Sequence, residues 1–301
     1  MKKILVTGAS GFIGRHTLAP LLQAGYEVHA VSSKKKTEND TSIIKWHQTD
    51  LKNSIQTQDL IGKIQPTHLL HFAWCAEPGK FWTDPENTQW VEASFNLIKK
   101  FHAQGGKRVV ISGSCAEYEW NKSIYSEKAT SENPATLYGK CKQELQIKVE
   151  AFCHEVDLSF CWGRIFFVYG PYEHPARLVS SIVRSLLKNE TAECSHGNQK
   201  RDLLFVEDVA SGFVSILENE ITGIVNIGSG EGVALKDVIK TIGDKIGRKN
   251  LIRMGTLPSP ANEPPILVAE TKRLTEEVRW APKFDINTGL DRTIHWWKST
   301  L

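Results

Sequence analysis

The feature that most constrains the fold is a glycine-rich turn close to the N-terminus. Gly8-Ala9-Ser10-Gly11-Phe12-Ile13-Gly14 joins a short β-branched run, residues 3–6, to a helical pattern over 12–24. That pattern carries apolar residues at Ile13, Leu18, Leu21 and Leu22, and Gly25 stands where a helix would stop. In such a turn the first glycine permits the tight bend, the second lets backbone approach a pyrophosphate, and the third lets helix and strand pack closely. The helix N-terminus then offers free N–H donors to the phosphates. Gly8, Ser10, Gly11, Phe12, Ile13 and Gly14 are therefore candidate dinucleotide contacts. A glycine triplet alone is a weak signal; its place between strand and helix gives it weight.

Strand signals recur at 27–31, 44–46, 69–72, 109–111 and 158–166, with helical stretches between most of them. This alternation predicts an α/β fold, a Rossmann doubly wound parallel sheet covered on both faces. After Gly170 the pattern loosens into helical stretches at 178–187, 235–246 and 288–297 and proline-containing loops. The expected division is an NAD(P)-binding domain over 1–170, with a returning segment near 203–230, and a smaller substrate-binding lobe over 171–301. A chain of 301 residues with 41% hydrophobic and 24% charged residues can bury such a core and is not of disordered composition.

A formal net charge of +3 without a basic stripe argues against nucleic acid as a partner. No segment approaches the apolar length of a membrane span, and the apolar start is too short for a signal peptide. Cysteines 75, 115, 141, 153, 161 and 194 show no metal-ligand spacing, so no metal is expected and reduced thiols of a cytoplasmic protein are.

Sites that prefer NAD usually end the second strand with an acid on the ribose 2′-hydroxyl. About 20 residues beyond the glycines this chain has Val31-Ser32-Ser33-Lys34-Lys35. The hydroxyls of Ser32 and Ser33 and the ammonium of Lys34 suit a 2′-phosphate, so NADP is the expected cofactor and NAD the alternative. The contrary reading is that Lys34, Lys35 and Lys36 form only a solvated turn.

Tyr138 and Lys142 stand four apart at the start of a helical run, on one helix face. An ammonium beside a phenol is expected to lower its pKa and so make a proton donor useful near neutrality. Upstream, Ser112-Gly113-Ser114 follows the strand at 109–111 and places hydroxyls at a strand's C-terminal end, where open α/β sheets bind ligands.

In this order and spacing, the glycine loop, the serine after the fifth strand and the Tyr/Lys pair resemble the extended short-chain dehydrogenase/reductases. More narrowly, the chain resembles the NAD(P)-dependent nucleotide-sugar epimerase/dehydratase/reductase family, nearly end to end. The resemblance implies catalytic roles for Ser114, Tyr138 and Lys142, an adenine-side contact at Asp50-Leu51, and a segment over the cofactor at His71-Phe72-Ala73. It places Trp74 and Phe167 near the sugar, Phe167 lying in Arg164-Ile165-Phe166-Phe167-Val168-Tyr169-Gly170-Pro171. It implies that Arg201, in Gln199-Lys200-Arg201-Asp202-Leu203, meets the diphosphate of a nucleoside-diphosphate sugar, which a guanidinium suits. An ion pair of Arg201 with Asp202 or Asp208 is the competing reading. Val225-Asn226-Ile227-Gly228-Ser229-Gly230 matches a further hallmark, and 192–195 is expected near the base. The helical stretches 88–104 and 135–152 resemble a dimer-forming pair, which implies a homodimer.

By the register of Glu117-Tyr118, Ser114 takes the family's catalytic Ser/Thr position. The next two positions hold Asp-Glu in 4,6-dehydratases and are Cys115-Ala116 here, which argues against that reaction. Glu117 is expected to face away from the site along an extended strand. With NADP expected, the reading is reduction at C4 of a nucleoside-diphosphate 4-keto-6-deoxyhexose. The alternatives are an NAD-dependent epimerase and a non-catalytic dinucleotide sensor. Phe167, Phe205 and Trp90 depart from the family's usual residues. Trp74, Phe81, Trp82 and Trp120 are expected near the sugar, either against a deoxygenated face or as filling for core or subunit contact.

Overall fold

The computed structural model describes residues 2–34, 43–258 and 264–301. Its strands are β1 Lys3–Thr7, β2 Glu27–Ser32, β3 Lys45–Gln48, β4 His68–His71, β5 Arg108–Ser114, β6 Ile124–Tyr125, β7 Ser159–Ile165, β8 Phe167–Tyr169, β9 Ala192–Glu193, β10 Lys200–Phe205, β11 Gly223–Ile227, β12 Gly232–Ala234, β13 Ile252–Arg253 and β14 Ile266–Ala269. Its α-helices are α1 Gly14–Gln23, α2 Ser54–Ile64, α3 Glu86–Ala103, α4 Leu137–Glu155, α5 Leu178–Leu187, α6 Val206–Glu218, α7 Leu235–Ile246 and α8 Ile286–Thr300.

Seven parallel strands form the main sheet in the order β11-β7-β5-β4-β1-β2-β3. This is the expected doubly wound arrangement. Chain order reverses between β1 and β4, and open α/β sheets bind ligands at such a point, outside the strands' C-terminal ends. Side chains alternate across the sheet: Ile4 and Val6 of β1 join one core with residues of α1 and α6, and Leu5 joins the other with residues of α2, α3 and α4. Both faces are covered, which is why the central strands read as unbroken apolar runs.

The run at 158–166 divides where the chain changes sheets. Phe166 N–H still bonds Ile227 O of the main sheet at 3.1 Å, whereas β8 turns away to pair with β10. The second sheet, β12-β10-β14-β6 with β8 beside β10, ties segments from both halves of the chain together. A third core, formed by residues of α5, α7 and α8 with Tyr169 and Phe205, fills the C-terminal part. Helix α8 begins at Ile286, two residues before the expected 288, because Asp285 caps it through Thr288 N–H at 2.7 Å. No described helix is long and apolar enough to cross a membrane.

Candidate active site

The phosphate turn follows β1. Gly8 has φ +64°, and a Cβ there would lie 2.8 Å from Ala73 N, so only glycine fits between this turn and the end of β4. A Cβ on Gly14 would lie 2.3 Å from Gly8 O; this is the close helix–strand contact expected of the third glycine. A Cβ on Gly11 would meet only Gly8 O, at 3.0 Å, and its outer side is open. No side chain caps the start of α1 and no acid lies in its first turn, so the positive end of its dipole is left to a ligand, although Arg15 and His16 N–H already bond Gly11 O and Ile13 O. This cradle fits a dinucleotide pyrophosphate. Phe12 and Ile13 complete the turn into α1.

Ser10 Oγ donates to Ser32 Oγ at 3.2 Å, and the backbone N–H of Lys34 bonds the same oxygen at the end of β2. Ser33 is exposed beside them, and Lys35 and Lys36 lie outside the described residues. Asp50 is exposed just past the end of β3, next to buried Leu51. Phe72 packs edge-on against Phe213 at 4.8 Å, and Ala73 N–H donates to Thr7 Oγ1 at 3.3 Å. His71 is held between Thr7 Oγ1, 2.6 Å, and Ser94 Oγ, 2.9 Å. Burial pushes its imidazole down to about 3, so it is a neutral structural bridge.

Ser114, Tyr138 and Lys142 come together where β5 ends and α4 begins. Thr136 caps α4 through Gly139 N–H at 3.1 Å, and Tyr138 N–H donates to Trp82 O at 3.2 Å. The Ser114 side chain lies close to the Tyr138 phenol, and its hydroxyl accepts from Ala116 N–H at 3.2 Å. The expected lowering of that phenol by Lys142 is not found. Burial pushes Tyr138 upward, with the Ser114 side chain opposing. The reason is geometric: the Lys142 ammonium donates to Ser112 O at 2.9 Å and sits 3.9 Å from the Trp74 ring centroid, but 6.0 Å from that of Tyr138. The shared helix face is real, yet the flexible lysine stem reaches past the phenol. Burial pushes Lys142 down to about 7, with Glu117 opposing.

Aromatic rings close around Tyr138. Phe81, Trp82 and Trp74 each meet it edge-on, at 4.9, 5.8 and 6.4 Å. Trp120 stands edge-on to Trp82 at 6.0 Å. Trp90, where relatives often have Asn, stacks on Trp74 at 6.3 Å. Trp74 is fixed by its Nε1–H to Asn87 Oδ1, 2.7 Å, and Asn87 is buried with its amide on Phe81 O and Asp84 O. Phe205, the other departure, is core, packed on Tyr169 and Phe284.

On the second sheet, Arg201 is buried, donates to Pro264 O at 2.9 Å, and has its guanidinium 5.4 Å from the Phe167 ring. Asp202 is engaged by the N–H groups of Ser229, Gly230 and Ala269, and Asp208 by those of Lys283 and Phe284. Of the cysteines, all six are free thiols, five of them buried. Cys75, Asp84 and Glu86 converge, but Glu86 already pairs with Lys52 at 2.5 Å.

Three elements escaped the sequence reading. Arg15 donates to Ser10 O and Gly11 O and lies 3.9 Å from the Tyr172 ring centroid, which holds the phosphate turn's carbonyls inward. Asn87 clamps Trp74. Glu117 does not sit on an extended strand: residues 115–117 form a 3₁₀ turn, and its carboxylate is buried against Arg164, Trp162 and Ser114 N–H. The signal was present, because Ser114-x-x-Glu117 is a capping-box pattern.

The profile of the "NAD dependent epimerase/dehydratase family" matches residues 4–228. The chain belongs to this family. It is an enzyme of the extended short-chain dehydrogenase/reductase type, a group that works with a nicotinamide dinucleotide and nucleotide sugars. CDP-abequose synthase of Salmonella typhimurium is 25% identical, over 97% of each chain. UDP-glucose 4-epimerase of Thermotoga maritima, solved with UDP-glucose, superposes with a TM-score of 0.90 at 23% identity over 99% of each chain. UDP-glucuronic acid 4-epimerase of Bacillus cereus, solved with UDP-glucuronic acid and NAD, gives 0.88 at 21% identity, covering 99% of this chain and all of that one. At these identities the two solved structures support the family's fold, and the site geometry carries the chemistry.

Proposed function

We propose that the protein reduces the C4 carbonyl of a nucleoside-diphosphate 4-keto-6-deoxyhexose with NADPH. The observation that carries this reading is the composition of the site. A phenol, a hydroxyl and an ammonium converge, while the two residues after Ser114 are buried Cys115 and Ala116 and the nearby carboxylate of Glu117 is turned into the core. Such a set can protonate an alkoxide but has no free acid at those positions for eliminating water. The aromatic surround of Tyr138 suits a sugar face that has lost a hydroxyl. The hydroxyls of Ser32 and Ser33 with Lys34, and the lack of an acid among them, favour the 2′-phosphate of NADP.

Bound in the Gly8–Gly14 turn, the dinucleotide supplies the hydride. Tyr138 gives its proton to the oxygen developing at C4, and Ser114 hydrogen-bonds and orients that oxygen. Lys142, beyond the phenol, holds the cofactor's ribose. Trp74 and Phe167 line the sugar, and Arg201 meets the diphosphate. The α3 and α4 faces form a homodimer, and the enzyme works in the cytoplasm. The NAD found with the Bacillus cereus 4-epimerase favours a second reading, an epimerase that keeps its own NAD.

The test is consumption of NADPH and NADH by purified protein offered CDP-, dTDP-, UDP- and GDP-linked 4-keto-6-deoxyhexoses. Stoichiometric NADPH oxidation with one nucleotide is expected, and Tyr138→Phe should lose turnover while still binding cofactor. No consumption, with the sugar interconverted by protein carrying NAD, overturns the reductase in favour of the epimerase.

A further inference from the structure

We propose that Glu117 and Arg164 are a buried pair of positioning residues that fix Ser114 against Tyr138. The inference rests on the reading above only in taking Ser114 and Tyr138 as the groups that act on the sugar oxygen.

Both side chains are fully buried, with Arg164 Nε 2.6 Å from Glu117 Oε2. Every other partner of the carboxylate is also a donor: Ser114 N–H at 2.6 Å and Trp162 Nε1–H at 2.9 and 3.1 Å. An ionised carboxylate only accepts, so this shell calls for the anion. Arg164 is held in turn by Glu132 at 2.6 Å and by the face of Tyr118, 4.5 Å from its centroid. Trp162 and Arg164 belong to β7, so Glu117 ties the turn after β5 to the neighbouring strand.

The tie is close on both sides. A Cβ on Gly113 would lie 2.0 Å from Trp162 Nε1 and 2.7 Å from Glu117 Oε1, so the network requires glycine there. A Cβ on Gly139 would lie 2.2 Å from Ala116 O, so the first turn of α4 rests directly on the 115–117 turn. Glu132 O also accepts from Gln143 Nε2 of α4 at 2.7 Å. The position of Ser114 relative to Tyr138 is therefore set by a turn whose anchor is the carboxylate of Glu117. Neither Glu117 nor Arg164 is exposed; they act through Ser114 and α4.

The anion also acts at a distance. It raises both Lys142 and Tyr138. The other groups facing Tyr138 are Ser114, Cys115 and Arg177, and neutral His71 faces Lys142. Neutralising Glu117 therefore lowers both proton affinities, and the alkaline limb of kcat/KM moves to lower pH.

The experiment compares wild type with Glu117→Gln and with the double variant Glu117→Val/Arg164→Met. The double variant removes both buried charges together, so that neither is left unpaired against the other, at the cost of the acceptor for Ser114 N–H and Trp162 Nε1–H; turnover is therefore scored per folded protein. Expected are a lowered but cooperative melt in the double variant, kcat per folded protein lowered about 100-fold in both, the scale of a 1 Å misplacement, KM within about twofold, and the limb shift in Glu117→Gln. Full kcat in the folded double variant overturns the proposal, and so does loss of kcat in strict proportion to loss of folded protein. If wild type oxidises no NADPH but interconverts sugars on bound NAD, the reductase reading falls and the variants are scored on that turnover. Independently of turnover, a crystal structure of Glu117→Gln should show Ser114 displaced relative to Tyr138; an unmoved Ser114 overturns the proposal.

Discussion

Gly139 lies between the two residues of α4 that carry the proposed proton chemistry, and Gly139→Ala tests how tightly the helix is seated. The added Cβ would stand 2.2 Å from Ala116 O, 2.8 Å from Pro134 Cβ and 3.1 Å from Ala116 C. Two of these atoms are backbone, so no rotamer change relieves the contact. Opening 2.2 Å to an ordinary van der Waals distance moves the start of α4 by about 1 Å from the turn that carries Ser114. Overpacking of this kind costs about 1–3 kcal/mol, which for a chain of this size is a fall in melting temperature of several degrees. The larger effect is on rate, because Tyr138 rides on the displaced turn while Ser114 stays with β5. About 1 Å between catalytic groups corresponds to about 100-fold in kcat. The assay is steady-state turnover with saturating cofactor beside a thermal melt and a cofactor titration. The expected result is a large loss of kcat, a modest loss of stability and a much smaller change in cofactor affinity, since the Gly8–Gly14 turn is untouched and only the ribose contact of Lys142 moves. Wild-type kcat together with wild-type stability would refute the reasoning.

Trp82→Ala removes a ring that meets Phe81, Trp120 and Tyr138 at 4.3, 6.0 and 5.8 Å. If the ring packs on the sugar, KM for the sugar nucleotide should rise about tenfold, the size of one aromatic contact; unchanged KM and kcat would remove it from the pocket. Glu173 is buried, with Oε2 accepting from Ser180 N and Oγ at 3.2 and 2.7 Å, and burial pushes its carboxyl from 4.5 up to about 7. The native state then holds a proton that the unfolded chain has released, so this stability is present below pH 4.5 and is lost as pH rises through about 7. The loss amounts to about 3 kcal/mol at most. Glu173→Gln should flatten the fall of melting temperature between pH 5 and pH 8; the same slope in both proteins would show that Glu173 does not cause it.

How much of this was legible in the sequence depended on whether a residue's job is set locally. The phosphate turn was readable because each glycine answers a local steric demand, and those at Gly8 and Gly14 appear as atoms a Cβ would strike. Helices α5 and α7 were readable to the residue, since their apolar periodicity and the glycine after α7 are local. The direction of the Lys142 ammonium was not, because Trp74 and Ser112 O come from other elements. Glu117 was misread for the same kind of reason: taken as strand, it would face away, and only its partners on β7 reveal the buried anion. The fate of Phe166, half in one sheet and beside another, likewise depends on partners about sixty residues away.

The direction in which burial moves the two titrating groups bears on direction of reaction. Burial raises the phenol of Tyr138 and lowers Lys142 to about 7. A phenol that keeps its proton is ready for the reductive step, which begins by needing one at the new alkoxide. The oxidative step begins from phenolate, and here that anion would have to form in a site where burial opposes it. An oxidised nicotinamide brings a positive charge that favours phenolate, whereas the reduced ring brings none. An epimerase must pass through both directions and needs that charge resident. A reductase needs only the protonated phenol and a neutral, reduced cofactor. The aromatic surround packs directly on Tyr138, and replacing one of its rings should lower the phenol's pKa as well as loosen the pocket.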